Sequence, residues 1–201
     1  MENEELRRVT EYYNSNKQAF KARLEDFKFI PMENYFYELA FCLLTPQSQA
    51  KKCWQAVEEL RACEFNTNIQ ECLRTKTRFH RNKARYLKEA REKWPEIKEK
   101  IETLETLELR NWLAKNVKGL GLKEASHFLR NIGKSENKIA ILDRHILRNL
   151  KDLGIMEDVE LTNKTYLEIE NKMKQFAESI NIPLDELDLL FWSKETGEIF
   201  K

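Results

Sequence analysis

The 201-residue chain has little glycine and proline, five and four residues respectively, and no segment in which apolar and polar residues alternate for long. Turn-rich β folds and flexible linkers are therefore disfavoured, and continuous helix is favoured. Long apolar runs are missing too. Leu39 to Leu44 and Ile139 to Leu142 are typical of the longest, far below the roughly 20 residues that cross a bilayer, so no membrane partner is expected. The four cysteines, Cys42, Cys53, Cys63 and Cys72, form no C-x-x-C pair, and none follows position 72. That excludes zinc-ribbon and iron–sulfur spacing and leaves buried structural thiols as the expectation, with no metal site. The acidic start Met1-Glu2-Asn3-Glu4-Glu5 has no apolar stretch behind it, which argues against a secretory leader and for a cytoplasmic protein. Finally, there is almost no net charge: 35 Lys+Arg stand against 34 Asp+Glu.

What is present is helical pattern. With 41% hydrophobic residues and a length near that of one domain, the chain suits one compact unit or two closely packed lobes, all-α in class. Helices are expected from Glu4 to Phe27, through Tyr35, Phe36, Leu39, Ala40 and Leu43, and then from an N-cap at Thr45 with Pro46 at the first helical position. The pattern weakens from 66 to 79 and resumes as Lys83 to Glu92 and Trp94 to Ile101. It continues through Leu107 to Asn116, Lys123 to Ile132, Arg144 to Leu153, Asn163 to Ile180 and Leu184 to Lys194. Gly133 reads as a C-terminal cap. Between two of these helices, Val117-Lys118-Gly119-Leu120-Gly121-Leu122 breaks the period and makes a helix-hairpin-helix.

The cancelled charge is unevenly placed. Residues 74 to 100 carry 11 basic and 4 acidic groups, and residues 115 to 151 carry 9 and 3; residues 152 to 201 reverse the sign, with 5 and 12. The two basic blocks bracket the hairpin. One basic helix face can be mere solvation, but Gly119 and Gly121 add main-chain donors free of Cβ obstruction at a helix N-terminus, which suits a phosphodiester. Duplex DNA, held by its backbone, is the partner this predicts.

Lys123 lies in the first turn after that hairpin, where a helix macrodipole disfavours a cation. Partial desolvation there, with Lys118 nearby, would favour the neutral, nucleophilic amine. Contact with phosphate is its alternative role. Asp143 follows the apolar run Ile139–Leu142 and precedes Arg144-His145-Ile146-Leu147, the position of an N-cap. A carboxylate fixed there can also stabilise an oxocarbenium-like sugar, so capping and catalysis are compatible.

The strings Lys118-Gly119-Leu120-Gly121-Leu122-Lys123-Glu124-Ala125-Ser126-His127-Phe128-Leu129-Arg130-Asn131 and Ile141-Leu142-Asp143-Arg144-His145-Ile146-Leu147 resemble those of the 8-oxoguanine DNA glycosylase/AP lyases. The closest likeness is to their second, compact family from archaea and some bacteria. It extends to Phe41-Cys42-Leu43-Leu44-Thr45, Arg78-Phe79, Glu186-Leu187-Asp188-Leu189, Trp192 and Lys201, covering most of the chain from about residue 33.

The resemblance implies a helix-hairpin-helix glycosylase of two helical lobes with a DNA-binding cleft and no iron–sulfur cluster. One lobe would span 31–135, the other 1–30 with 136–201. It implies base flipping, attack of Lys123 on the sugar C1′, a Schiff base and β-elimination, with Asp143 stabilising charge. Trp192 and Lys201 would hold the flipped base, with Asp188 in the same acidic pocket. Lys118, Gly119, Gly121, Gln47, Arg78, Phe79 and Arg81 would meet DNA. Phe79 is a candidate wedge or a packed helix staple, and Gln47 resembles the glutamine that endonuclease III-like relatives insert. No cofactor is implied beyond a monovalent cation at the hairpin carbonyls, and a monomer suffices. Two other readings stay open: a glycosylase for oxidised pyrimidines, which keeps Lys123 and Asp143, and a noncatalytic helix-hairpin-helix DNA-binding module.

Overall fold

The computed structural model describes residues 4–201; the acidic Met1-Glu2-Asn3 invoked above lies outside the described residues. Among the described residues there is no strand. The elements are α1 (Glu4–Lys28), a 3₁₀ turn (Met32–Asn34), α2 (Tyr35–Leu44), α3 (Ala50–Ala62), α4 (Ile69–Leu73), α5 (His80–Glu92), α6 (Trp94–Thr103), α7 (Thr106–Asn116), α8 (Leu122–Asn131), α9 (Arg144–Asp152), α10 (Asn163–Ser179) and α11 (Leu184–Thr196). No helix is long and apolar enough to cross a membrane. Two compact units result: Met1–Phe29 with Leu129–Lys201, and Ile30–Phe128. The division falls within α8, a few residues before position 135.

The Ile30–Phe128 unit is built around α2. From Leu39 to Leu44 every side chain of this helix is buried, because the run carries no charge that must reach water. It packs against α3 and α5, where Cys53, Ala56, Val57, Leu60, Ala84 and Leu87 close the core. Thr45 does not cap α3, contrary to expectation. Its backbone stays helical and its hydroxyl donates back to the Cys42 carbonyl (3.1 Å), so it ends α2 and is not available to begin the next helix. Gln47 then turns into the left-handed region, and α3 starts only at Ala50. The weak stretch after 66 hides α4, a single turn capped by Asn68, too short to show a helical period. Of the four cysteines, all free, Cys42 and Cys53 are buried as expected, whereas Cys63 and Cys72 are only half-buried.

The other unit packs α1, α9 and α10 against α11. Val9, Tyr13, Phe20 and Phe27 form the buried stripe of α1. Its links to the C-terminal segment are polar and specific: Tyr13 donates to Glu186 (2.8 Å), Lys194 pairs with Glu5, and Arg23 Nε donates to the Phe200 carbonyl (2.5 Å). At the end of α8, Gly133 adopts φ +69°, and its Cα face lies directly on the backbone of Lys28. An added Cβ would stand 2.7 Å from Lys28 Cα, a backbone atom that cannot swing aside. Gly154 shares the left-handed backbone, with φ +72°, but has open space around it. Gly133→Ala is therefore expected to destabilise by about 1–3 kcal/mol more than Gly154→Ala, since both incur backbone strain and only the first incurs overpacking. Urea unfolding midpoints of the two variants check this.

Candidate active site

The hairpin between α7 and α8 is closed by Leu120 N–H donating to the Val117 carbonyl (3.1 Å). Val117, Leu120 and Ala125 are buried, anchoring the turn from below. Only one of its glycines is conformationally required. Gly119 has φ +94°, and a Cβ there would meet the Tyr86 ring at 2.5 Å, so no side chain fits. Gly121 lies outside the left-handed region, correcting the expectation for it. Its N–H donates to Glu124 Oε2 (3.2 Å), while Glu124 Oε1 pairs with Lys123 Nζ (2.8 Å). One carboxylate thus occupies the hairpin donor and the lysine together. Lys123 retains 30% side-chain exposure. Lys118 is exposed beside Glu89, 3.9 Å away.

Two further loops of this unit are joined by a buried cation. Lys83, at 4% exposure, has four acceptors for three N–H groups: the carbonyls of Leu44 (2.7 Å) and Pro46 (2.8 Å), Ser48 Oγ (3.0 Å) and Thr77 Oγ1 (2.6 Å). Ser48 Oγ also accepts from the Arg78 N–H (2.9 Å). Burial lowers the Lys83 pKa to about 8, with Lys123 and Arg78 adding in the same direction and Cys53 and Glu124 opposing. Gln47, within the first of these loops, and Phe79, at the end of the second, are both at positive φ, 53° and 57°. Phe79 is 53% exposed and carries the Arg78 guanidinium 5.4 Å from its ring centre. It is not a packed staple. Arg81 is exposed on the first turn of α5.

In the other unit Asp143 is an N-cap, as its position predicts: Oδ1 accepts from the N–H groups of His145 (2.8 Å) and Ile146 (2.9 Å). The extended segment leading to it is held from α10. Ala140 N–H donates to Glu170 Oε1 (2.8 Å), and Tyr166 Oη donates to the Ala140 carbonyl (2.6 Å). The cap is thereby fixed from both sides. The second carboxylate half-buried near this helix, Glu195, holds Arg148 at 2.8 Å and lies 3.9 Å from His145 Nδ1.

The acidic C-terminal quarter is more internal than its charge count suggests. Glu170, Asp185, Glu186 and Asp188 are all buried. Asp185 accepts from Ser135 Oγ (2.6 Å) and from Asn137 N–H (3.1 Å), yet burial still raises its pKa. Asp188 stands 3.4 Å from Arg130 Nη1, whose guanidinium lies over the Phe27 ring. Burial raises the Asp188 pKa to about 7, Arg130 opposing and Asp143 and Asp185 adding to the rise. Trp192 is half-buried on α11 and Lys201 is buried.

Two residues of the basic blocks, Lys83 and Arg130, are consequently turned inward and do not face phosphate. Their partnerships were missed, although each sits at an apolar-face position of its helix, beside Ala84 and Leu87 or beside Leu129. A cation at a core position is the signal that could have found them. Among the described residues, no group of three His, Cys, Asp or Glu is arranged to hold a metal ion.

A helix, a glycine-pinned turn, a helix with lysine in its first turn and a later helix capped by aspartate define an all-α helix-hairpin-helix protein of the DNA glycosylase class. The chain belongs to the 8-oxoguanine DNA glycosylase family, whose model matches residues 20–182. It is 45% identical to the 8-oxoguanine DNA glycosylase/AP lyase of Fusobacterium nucleatum subsp. nucleatum, with 99% of each chain covered. Among solved structures it resembles the Methanocaldococcus jannaschii 8-oxoguanine glycosylase/lyase in complex with a 15mer DNA containing 8-oxoguanine. That match has a TM-score of 0.88 and 35% identity, and it covers 97% of this chain and 98% of that one. The Thermotoga maritima 8-oxoguanine DNA glycosylase matches with a TM-score of 0.87 at 30% identity, covering 98% of each chain.

Asp188 carries a pH prediction. The folded protein keeps its proton up to about 7, whereas the unfolded chain releases it near the usual aspartate value of about 3.9. Between those limits the folded state binds more protons, so this group's contribution to stability falls as pH rises from about 4 to about 7 and is flat above. Asp188→Asn removes that slope while adding a constant offset from the unmatched Arg130. Thermal unfolding at a series of pH values, wild type against variant, checks the sign.

Proposed function

We propose that the protein is a bifunctional DNA glycosylase/AP lyase that removes 8-oxoguanine from duplex DNA. The observation that carries this reading is near-complete coverage, in both directions, of relatives named for that activity. Lys123 is the nucleophile. Its amine attacks C1′ of the flipped nucleotide, the glycosidic bond breaks, and the base leaves with the bonding electron pair. Glu124, 2.8 Å from Nζ, is the group at hand to accept the proton the ammonium must lose. The Asp143 carboxylate stabilises positive charge developing on the sugar. The sugar ring then opens: the C1′–O4′ bond breaks, O4′ takes up a proton, and the nitrogen lone pair forms the C1′=N Schiff base. This acidifies C2′, so that loss of its proton expels the 3′ phosphate by β-elimination.

The remaining roles follow from chemistry. Trp192 offers a ring face for the flipped base, and Lys201 and Asp188 offer polar contacts to its edge. A carboxyl titrating near neutrality can donate or accept there. Lys118, Gly119 and Gly121 take the phosphate backbone through charge and main-chain N–H groups; phosphate at Gly121 requires Glu124 to move aside. Arg78 and Arg81 add backbone contacts, and Phe79 and Gln47 fill the space a flipped nucleotide leaves. A lysine nucleophile and a carboxylate complete this chemistry without a metal or organic cofactor, and the reading retains a monovalent cation at the hairpin carbonyls as a phosphate partner. The enzyme works as a monomer on cytoplasmic, nucleoid DNA.

Borohydride is expected to trap a covalent adduct between the wild-type protein and duplex carrying 8-oxoguanine, and Lys123→Gln to give none. A panel of oxidised pyrimidines in the same duplex should be cleaved far less. Asp143→Asn keeps an oxygen acceptor for the helix cap, so its melting temperature should stay close to wild type while single-turnover excision falls by about 100-fold or more. An adduct that survives Lys123→Gln would move the nucleophile elsewhere, and an Asp143→Asn variant of full activity would reduce that residue to a cap.

A further inference from the structure

Lys83 has no part in the chemistry above, yet it is a buried cation of the Ile30–Phe128 unit with four acceptors around its three N–H groups. Its acceptors come from two loops and the end of α2. Leu44, Pro46 and Ser48 lie on one side, and Thr77 on the other. The loops are also tied directly, by a hydrogen bond between the hydroxyls of Ser48 and Thr77 (2.8 Å) and by Arg78 N–H to Ser48 Oγ. Each loop carries a residue at positive φ, Gln47 within the first and Phe79 at the end of the second. Neither residue is glycine, and left-handed backbone is costly for an aromatic side chain. Something must hold both in place, and the ammonium with its two hydroxyl partners is the connection they share.

We propose that Lys83 is a positioning residue that clamps the 45–48 and 77–79 loops together, presenting Gln47 and Phe79 as a two-pronged wedge for opening damaged duplex. The inference rests on the DNA glycosylase reading and adds to it a division of labour. Lys123 acts on the sugar, while Lys83 acts only through the two loops. An intercalating side chain opposes stacking of a few kcal/mol, so it must stand on a support that does not yield. A buried cation with all its N–H groups engaged is stiffer than a loop held by backbone bonds alone.

Two variants test it. Lys83→Met removes the ammonium and keeps the length of the side chain, and Ser48→Ala removes the bridging hydroxyl from the loop without touching the core. Both are expected to slow single-turnover excision of 8-oxoguanine from a perfect duplex by about tenfold or more, and to recover to within about twofold of wild type when the lesion sits in an unpaired bubble with no stack to open. Borohydride trapping on a single-stranded abasic oligonucleotide should be unchanged. In a second readout, 2-aminopurine opposite a tetrahydrofuran abasic analogue should change fluorescence on binding wild type and much less on binding either variant. Unchanged duplex excision by both variants would overturn the clamp. So would equal losses on duplex and bubble, which mark a general loss of fold, or a matching loss of trapping, which would make Lys83 a partner of Lys123. If wild type excised no 8-oxoguanine, the functional reading would fail, and the fluorescence readout would still decide for or against the clamp.

Discussion

The loops that flank α3 and α5 in the Ile30–Phe128 unit depend on burying the Lys83 ammonium well. An ammonium withdrawn from water is tolerated only where acceptors surround it, and removal of any partner exposes the cost of its desolvation. Lys83 meets that condition by gathering the end of α2, the following loop and the loop before α5 around one nitrogen. Cys53 leans on the same Leu44 carbonyl, its Sγ 3.2 Å away. What would otherwise be three independent chain segments becomes a single piece, and the exposed residues on it inherit its rigidity.

The other unit solves the converse problem with buried acids. Glu170 is spent on the Ala140 N–H, Asp185 on Ser135 and Asn137, Glu186 on Tyr13, and Asp188 on Arg130. These pairings orient the chain at its least regular point, the extended segment 139–142, and deliver Asp143 to the start of α9 with its carboxylate already committed to two N–H groups. A carboxylate so fixed costs little further reorganisation when charge develops near it, which is the condition for electrostatic stabilisation to be useful. The near-zero net charge of the chain therefore conceals three populations: cations on the surface, acids on the surface, and a smaller set of both signs spent inside.

Features set by neighbours in sequence were legible without coordinates. Asp143 as a cap, Gly133 as a helix stop, the hairpin at 117–122 and most helix boundaries depend on a few adjacent residues, and the all-α class follows from composition and period. Features that depend on distant partners were not. Thr45 looked like the start of α3 because its hydroxyl could cap forward, but it bonds backward to Cys42. Gly121 looked like a second conformational hinge, but only Gly119 faces a ring that excludes a side chain. Lys83 and Arg130 were counted with the surface cations, since a count of charges cannot tell which lysine has found carbonyls 35 or more residues away. Lys123 stood out by its unfavourable place in a helix, which left phosphate contact and nucleophile both open, and the resemblance implied the nucleophile; its pairing with Glu124 needed the structure.

Phe79 bears a consequence of another kind. An aromatic ring that is half in water on a left-handed backbone weakens the free protein twice over, through strain and through exposed apolar surface. In the isolated fold the Arg78 guanidinium, 5.4 Å from the ring centre, offsets little of this. Replacement by asparagine or glycine would relieve both penalties, so a screen for heat resistance alone would tend to erase this residue, and a lineage kept under selection for stability without selection for repair would lose it early. On the wedge proposed above, its persistence in a working enzyme would mark continuing demand for the DNA-bound state, in which the ring has a base to stack upon.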